Sequence, residues 1–294
     1  MSTDATSRPS IAGVDVSRVA LYAALLGMVA FYLAPLESGL ATAFKTPEGF
    51  RTTTPFALPP VGEFTVDAWG TAFDRLGTGL TNSALMAVPA TVLSALFGSL
   101  AAYGLTNLDW RGQVGVLMLF VAGVFIPYQA VLVPLTQFWS FVDLAGRLPI
   151  SAVDRYEGLI NLSITHVAYG VPICTVLFRS YYATIDDEML EAARLDGASA
   201  ATIYRRIVLP LSVPIFAVTL IYQFTQIWND LLFAIVLVSD PSNQVVTVAL
   251  NQLQGSFVQQ YNLQMAGAFV AALPTLAVYV LFGEQFAKGV AGET

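Results

Sequence analysis

The sequence predicts an all-α integral membrane protein with six transmembrane helices. Of its 294 residues, 56% are hydrophobic and only 11% are charged, and the mean hydropathy is +0.67. An ordinary soluble domain has roughly 25% charged residues, so these few charges cannot cover the surface of a soluble protein of this length. Long uncharged stretches recur along the chain, and each bilayer crossing needs about 20 apolar residues. We therefore expect one domain that lies mostly in lipid.

Six apolar stretches are long enough to cross a bilayer. They are Ser17–Leu36, Leu80–Leu105, Val114–Leu135, Gly158–Phe178, Leu211–Val238 and Leu263–Phe282. The first also fits a secretory signal, because Arg8 and Arg18 precede it and an Ala-Thr-Ala sequence follows. Its apolar run exceeds a usual signal core, so we favour an uncleaved span. The fifth is longer than one straight crossing needs, and we expect it to tilt, bend or end in a re-entrant piece near "WND" at 228–230.

The distribution of Lys and Arg predicts the orientation. With the N-terminus inside, eight of the 13 basic residues lie on cytoplasmic segments and five lie outside, as the positive-inside rule requires. The segment Glu37–Gly79 contains four prolines, which favour extended or turning backbone, and we assign it to the outer face. The prediction is a multi-pass cell-membrane protein with both termini in the cytoplasm.

A charged segment separates the fourth and fifth apolar stretches. Asp186 and Asp187 can cap the N-terminus of a short helix. The apolar positions of this helix are Met189, Leu190, Ala193 and Leu195. Gly197 is suited to end it, because glycine takes the left-handed conformation at a C-terminal cap.

Ser199 can cap a second short helix, which Pro210 closes. The apolar positions of this second helix are Ile203, Tyr204, Ile207 and Val208. One interpretation is a cytoplasmic hairpin that only connects two spans. The other is a rigid docking element whose small residues enter a groove on a soluble partner and transmit rigid-body motion to the spans.

The sequence "EAARLDGASAATIYRRIVLPLSVP" resembles the EAA loop of permease subunits in binding-protein-dependent ATP-binding-cassette (ABC) importers. The family pattern is E-A-A, three residues, G, nine residues and I-x-L-P. The positions in register are Glu191, Ala192, Ala193, Gly197, Ile207, Leu209 and Pro210. In that family the loop forms coupling helices that sit in a cleft of a cytoplasmic ATPase. The resemblance implies the same role for these residues.

Four further segments resemble the carbohydrate-uptake, maltose-type branch of that family. They are "TNSALMAVPATVLSALFGSLAAYGL" from Thr81, "IPYQAVLVPL" from Ile126, "WNDLLFAIVLVSD" from Trp228 and "ALPTLAVYVLFGEQFAKGVAG" from Ala272. Asp230 stands where this branch often has Glu. The resemblance implies a type I ABC importer permease fold with cytoplasmic coupling helices. Residues 1–78 would form the cytoplasmic N-terminus, first helix and outer loop, 79–284 the core with the EAA loop at about 184–210, and 285–294 a cytoplasmic tail.

The resemblance also implies the function and the partners. The chain would be a transport subunit for sugars, oligosaccharides or related polyols, without enzymatic activity of its own. Its partners would be a second homologous permease, a cytoplasmic ATPase dimer, an extracellular or periplasmic substrate-binding protein and membrane lipid. No G-x-x-x-x-G-K-[ST] pattern is present, so we expect no cofactor here and ATP bound by the partner ATPase. A net charge of −7 with two lysines gives a nucleic-acid partner no electrostatic support.

Polar residues within the apolar stretches are candidates for a translocation pathway. Those proposed are Asn161, Thr165, Thr219, Gln223, Gln226, Trp228, Asn229 and Asp230. Apart from Trp228, they recur on each stretch at steps of three or four, with Asn229 or Asp230 as the last, which places them on one helix face. They can hold helices together, each contributing about 1 kcal/mol or less, or they can exchange hydrogen bonds with sugar hydroxyls. Asp230 favours a functional role, because an ionisable group in a span is functional by default. Trp228 suits an interface anchor or a sugar-stacking ring.

The alternative function is an ion-coupled secondary transporter. That class usually shows inverted repeats with broken helices at matching positions, and the sequence shows no convincing repeat. An intramembrane enzyme lacks support as well, because the single His166 and Cys174 cannot form a histidine-rich zinc site. We expect His166 to form an interhelical hydrogen bond and Cys174 to be a small core residue.

Overall fold

A computed structural model describes residues 10–11, 14–253 and 260–291 of the protein. These residues are helical almost throughout. The long helices are α1 (Val16–Ala43), α3 (Asp67–Thr106), α7 (Ser151–Tyr182) and α14 (Tyr261–Ala291). Those of intermediate length are α4 (Gln113–Val124), α5 (Tyr128–Val142) and α11 (Val213–Trp228). The short ones are α2 (Pro47–Thr52), α6 (Leu144–Arg147), α8 (Asp187–Leu195), α9 (Ala200–Ile203), α10 (Leu209–Leu211), α12 (Leu232–Leu237) and α13 (Val246–Leu253).

Two other helix types and one small hairpin complete the described structure. A π-helix, Tyr204–Val208, links α9 to α10, and a 3₁₀ turn, Pro241–Asn243, precedes α13. Before α1, β1 (Ser10–Ile11) pairs antiparallel with β2 (Val14–Asp15). The Asp240 carboxylate accepts a hydrogen bond from the Ser242 amide at 2.8 Å. Hydrogen bonds from Ser242 lower the pKa of Asp240 below its usual value.

Four helices are each long and apolar enough to cross a membrane, namely α1, α3, α7 and α14. Two bent helix pairs pass the same test together, so the described residues provide up to six spans if each pair counts as one. The six-span prediction is therefore compatible with the structure, but the third span is not the single helix that the sequence indicated. It breaks at Phe125–Pro127 into α4 and α5, bent by 102°, because Pro127 has no N–H to continue the helical ladder.

The fifth predicted span also consists of more than one helix. Ser212 separates the helical run Ala200–Leu211 from α11, and the two are bent by 76°. Helix α11 ends at Trp228, and α12 begins only at Leu232. The break expected near "WND" is thus confirmed. The unit predicted to close at Pro210 ends one residue later, at Leu211, directly before the bend.

The segment predicted as an extended outer loop, Glu37–Gly79, is largely helical. Helix α1 continues to Ala43, α2 lies within the segment, and α3 starts at Asp67. The four prolines did not prevent helix formation because none of them lies inside a helix. One begins α2, and the other three lie in the connection between α2 and α3. Pro47 occupies the first position of α2, and Thr46 caps that helix through a hydrogen bond from the Gly49 amide at 3.0 Å.

The chain divides into two compact units. The first comprises the described residues up to Phe73 together with 260–269. In it, Lys45 is fully buried, and its ammonium donates to the Thr54 carbonyl at 2.9 Å. Phe44 stacks on Phe64 with ring centroids 5.5 Å apart. These contacts fix the connection between α2 and α3 against the end of α1.

The second unit comprises 74–253 and 270–291, and α7 lies at its centre. Helix α7 packs against α4, α6, α11 and α12. A methyl group at Gly98 on α3 would overlap Cys174 on α7, so the two backbones meet at closest approach there. Cys174 is fully buried, as predicted. Small residues that let helix backbones approach are the usual basis of packing in lipid.

Candidate translocation pathway and coupling loop

The charged segment at 186–211, which we call the coupling loop, folds as two short helices joined at a glycine. Asp186 caps α8 by accepting from the Glu188 amide at 2.9 Å. Gly197 has φ +82°, its amide donates to Arg194 O, and the Ala198 amide donates to Ala193 O, each at 3.0 Å. This pair of bonds is a Schellman C-cap, which requires the left-handed residue. The glycine termination is therefore confirmed.

Ser199 caps the second helix, as predicted, by accepting from the Thr202 amide at 3.3 Å. The helix then widens into the π-helix, a rare element that is often found at functional sites. Three residues predicted to be apolar contacts of the loop are buried with α3 and α7: Ile203, Tyr204 and Val208. Leu190 of α8 joins the same cluster. The apolar side of the loop therefore belongs to the core of the second unit.

Three buried hydroxyls bind the loop to the membrane helices. Ser99 Oγ on α3 lies 2.6 Å from the Tyr182 hydroxyl at the end of α7 and 2.8 Å from the Tyr204 hydroxyl in the π-helix. We call these three residues the hydroxyl triad. The loop is tied further by Tyr103, whose hydroxyl donates to Ala200 O at 3.0 Å, and by Arg194, which donates to Asn107 O at 2.7 Å. The loop is thus fixed to the C-terminal parts of α3 and α7 by polar bonds as well as by packing.

Replacing Tyr204 with phenylalanine should lower the stability of the purified protein by about 1 kcal/mol, the usual net contribution of one hydrogen bond. The variant keeps the ring in the core and removes only its bond to Ser99. A thermal melt in detergent measures the effect, with Tyr279→Phe, at an exposed ring on α14, as the control. Equal melting temperatures for the two variants would show that the bond between Tyr204 and Ser99 contributes nothing to stability.

The opposite side of the coupling loop is exposed. Glu191, Ala192 and Gly197 are all exposed, and Ala193 is partly buried against the cluster. Leu195, one of the apolar positions of α8, is 89% exposed, whereas Leu190 is buried. The two residues are five positions apart and therefore lie on different sides of the helix. A Cβ placed at Gly197 would meet no atom within 4 Å, so the helix junction has open space around it.

The remaining motif residues lie on the membrane side of the loop. Ile207 and Leu209 are partly buried against the same cluster, and Pro210 is exposed. Leu209 and Pro210 line an apolar groove of about 540 Å³ with residues of α3, α11 and α14. The seven motif positions therefore divide into an exposed set around Gly197 and a set that packs near the start of α11.

The structure brings some of the proposed pathway residues together and separates others. Asn161, Thr165, Thr219 and Gln223 are buried, whereas Gln226 and Asn229 are exposed. Thr165 receives a hydrogen bond from Trp139 Nε1 at 3.0 Å and donates to Asn161 O at 2.8 Å. Gln223 lies at a tight crossing, because a methyl group at Gly170 would overlap both its amide and the Ser94 hydroxyl.

Trp228 has no open ring face. It is 3% exposed, its ring stacks on Phe224 at 5.3 Å, and its Nε1 donates to Ala271 O at 2.9 Å. These contacts join α11 to α14. In this conformation the ring holds helices together, and no side of it is available to a sugar.

Asp230 and His166 form a buried pair that the sequence did not reveal. His166 Nε2 lies 3.5 Å from Asp230 Oδ2, and both side chains are more than nine-tenths buried. The other contacts of Asp230 are at a helix start, where its carboxylate accepts from the Phe233 and Ala234 amides at 3.5 and 3.3 Å. The interhelical hydrogen bond expected of His166 is not formed by its Nε2, which has no hydrogen-bond partner among the described residues. The imidazole instead lies at ion-pair distance from Asp230, at the break after α11.

Aromatic rings surround the pair. Tyr128 lies 5.2 Å from Tyr169 and 4.9 Å from Phe233, and His166 lies 5.7 Å from Phe233, between ring centroids. A cavity of about 30 Å³ adjoins Tyr128, His166, Tyr169 and Gln226. It has room for about one water molecule, and no sugar fits between these side chains in this conformation. Tyr128 and Phe233 were missed because nothing in an apolar run shows which ring will face a buried histidine.

Polar side chains buried between membrane-spanning helices, together with an exposed helix pair, are features that a membrane permease subunit can use. The family model described as "Binding-protein-dependent transport system inner membrane component" matches residues 94–288. The xylose/arabinose import permease protein of Haloferax volcanii is 49% identical over 95% of this chain and 94% of its own length. The glucose import system permease protein of Saccharolobus solfataricus is 29% identical over 92% of each chain.

A solved structure supports the same fold. A chain of a bacterial ABC transporter involved in the import of the acidic polysaccharide alginate has a TM-score of 0.74, with 95% of this chain and 99% of that chain covered at 18% identity. The protein belongs to the family of binding-protein-dependent ABC importer permeases. The family resemblance and the importer permease fold predicted from the sequence are thus confirmed.

Proposed function

We propose that this permease subunit carries small neutral sugars or related polyols through the membrane, driven by ATP hydrolysis in a partner ATPase dimer. The observation that carries the proposal is the coupling loop, whose buried side is bonded to α3 and α7 while its exposed side presents Leu195 and the open junction at Gly197. An element built this way can receive a partner and move with the helices as one body. By family, Glu191, Ala192, Ala193 and Gly197 would make that contact.

The same proposal sets the orientation and the division of the chain. The loop must face the cytoplasmic ATPase, so both termini lie in the cytoplasm, in agreement with the Lys and Arg distribution. Residues 79–284 form the permease core, with 1–78 and 285–294 on either side of it. ATP binds to the partner, and this chain holds no cofactor.

A second permease and an external substrate-binding protein complete the proposed assembly. The family description itself refers to dependence on a binding protein, and a solved alginate ABC transporter with the same fold is described in complex with a sugar-bound periplasmic protein. Relatives named for xylose, arabinose and glucose support a small sugar as the cargo. The buried pathway residues Asn161, Thr165 and Gln223 offer the amide and hydroxyl groups that can exchange hydrogen bonds with it.

Uptake of radiolabelled D-xylose by proteoliposomes containing the complete complex tests this function. We expect accumulation that requires both the binding protein outside and hydrolysable ATP inside, and none with a non-hydrolysable ATP analogue. The matched control is the same complex with a proton or sodium gradient in place of ATP. Accumulation that follows the ion gradient and ignores ATP would instead establish the secondary-transporter alternative.

A further inference from the structure

The outer side of the helical run Ala200–Leu211 changes from basic to apolar along its length. Residues at steps of i, i+3, i+4, i+7 and i+8 share one side of a helix. On this side the run carries Thr202, Arg205, Arg206, Leu209 and Pro210. None of these five is buried, whereas Ile203, Tyr204 and Val208 of the opposite side belong to the core cluster. We call the five residues the outer face of the run.

The first part of the outer face is a basic recess. Arg205 and Arg206 are exposed and line a recess of about 290 Å³ together with Ala201 and Thr202. Neither guanidinium forms an ion pair with any of the residues that the structure describes. A guanidinium can bind two phosphate oxygens through parallel hydrogen bonds. The recess therefore provides the charge and the donors that a phosphate group needs.

The second part of the outer face opens onto an apolar groove. Leu209 and Pro210 form one end of the groove, which has a volume of about 540 Å³. Its other walls come from α3, α11 and α14 and are entirely hydrophobic. On α11 the wall runs from Val213 to Leu220, a distance of about 10 Å at 1.5 Å per residue. The groove thus follows a membrane-spanning helix and has the shape and polarity for a hydrocarbon chain.

The bend at Ser212 separates the two parts. The run Ala200–Leu211 meets α11 at 76°, so it turns away from the direction in which α11 crosses the bilayer and towards the membrane plane. The basic recess lies before this bend along the chain, and the α11 wall of the groove lies after it. Basic side chains beside the end of a span attract anionic lipid headgroups. The order of the two parts matches a phospholipid, with its headgroup at the membrane surface and its chain in the bilayer.

The combination of charge and apolar surface restricts the occupant. A free phosphate ion would use the recess and leave the groove without contacts. A hydrophobic helix of another subunit would fill the groove and leave two arginines without an anion. The positive group of a zwitterionic headgroup would be repelled by the arginines. An anionic phospholipid is complementary to both parts at once.

We propose that the outer face and the groove together form a binding site for one anionic phospholipid. Arg205 and Arg206 donate hydrogen bonds to its phosphate, and one hydrocarbon chain lies in the groove along α11. Because the outer face is part of the coupling loop, the bound lipid holds this loop at the membrane surface. The inference concerns the lipid side of the subunit and does not depend on which cargo is transported.

Native mass spectrometry of the complete, delipidated complex tests the headgroup contact. The complex is titrated with phosphatidylglycerol, which is anionic, or with phosphatidylcholine, which is zwitterionic. We expect phosphatidylglycerol to bind at least about tenfold more tightly at its strongest site. The double variant Arg205→Gln/Arg206→Gln should lose at least about tenfold of this affinity, since each basic side chain near the surface contributes to the attraction. The matched control is Arg111→Gln/Arg155→Gln, which removes two exposed arginines elsewhere.

A second variant tests the groove. Val213→Trp fills the groove from an exposed position and should also weaken phosphatidylglycerol binding at least about tenfold. Val133→Trp, at an exposed position on α5, is the control with the same change. Inorganic phosphate at millimolar concentration should not displace the lipid, because it makes no contact with the groove.

Four results would overturn the inference. The first is equal affinity for the two lipids, and the second is unchanged lipid binding in both site variants. The third is displacement of the lipid by inorganic phosphate, which would identify the recess as a site for a soluble anion. The fourth is loss of a protein subunit from the complex in either site variant, which would identify the surface as a subunit interface. Lipid binding is measured without transport, so the site can fail while the proposed sugar uptake stands.

Discussion

Replacing Gly197 with tryptophan should lower ATP-driven uptake at least about tenfold while the protein still inserts and assembles. The side chain has space within this chain, because no atom lies within 4 Å of a Cβ at this position. The bulk would instead occupy the open junction between α8 and α9, where we place the partner ATPase. Uptake and ATP hydrolysis, measured on the same proteoliposomes, show whether hydrolysis continues without transport.

The variant Gly197→Asn shows whether a loss of uptake comes from a blocked partner contact or from strain in the backbone. Gly197 is left-handed with φ +82°, a conformation that costs most side chains about 1–2 kcal/mol but that asparagine tolerates. We expect the asparagine variant to retain most of its uptake. If Gly197→Trp transports like the wild type, this junction is not the contact with the ATPase. If both variants lose uptake equally, the loss comes from the backbone.

Replacing Gly98 with leucine should prevent stable folding of the second unit. A Cβ there would overlap the Cys174 side chain and approach the backbone of Cys174 and Thr175 at 3.0 Å. Overpacking a core costs about 1–3 kcal/mol where side chains can adjust, and here the obstacle includes backbone. We expect little monodisperse protein by size-exclusion chromatography, and a melting temperature well below that of the wild type in what remains.

Gly104→Leu is the control for Gly98→Leu. Gly104 lies on the same helix, and a Cβ there would meet no atom within 4 Å. Both variants carry the same change in helix propensity and hydrophobicity, so only the helix crossing differs. If the two variants elute and melt alike, the close approach of α3 and α7 is not needed for the fold.

The sequence was sufficient for features that depend on local chemistry. Gly197 ends α8 because the left-handed cap requires glycine, and Ser199 starts α9 because its hydroxyl reaches the Thr202 amide. The break after Trp228 was expected from the excess length of the fifth apolar stretch. Membership in the permease family could be predicted as well, since the motif spacing around Gly197 is local information.

Features that depend on tertiary contacts could not be predicted in this way. The break at Pro127 is a local feature, and it was missed because the apolar composition continues across the proline. Leu195 looked like a core residue by type, yet the direction of Leu190 decides which side of α8 is buried. The His166–Asp230 pair joins residues that are far apart in sequence. The spacing of residues within one helix does not predict contacts of this kind between helices.

The hydroxyl triad has a mechanical consequence. Because Tyr204 is tied through Ser99 to Tyr182, the loop has little freedom to bend relative to α3 and α7 and should act as a lever. We expect its pivot to be the 76° corner at Ser212, whose hydroxyl donates to the Val208 carbonyl. A push on Leu195 should therefore reach the lipid-embedded helices as a turn about that corner, and α11 carries the turn to the Trp228 end of the span.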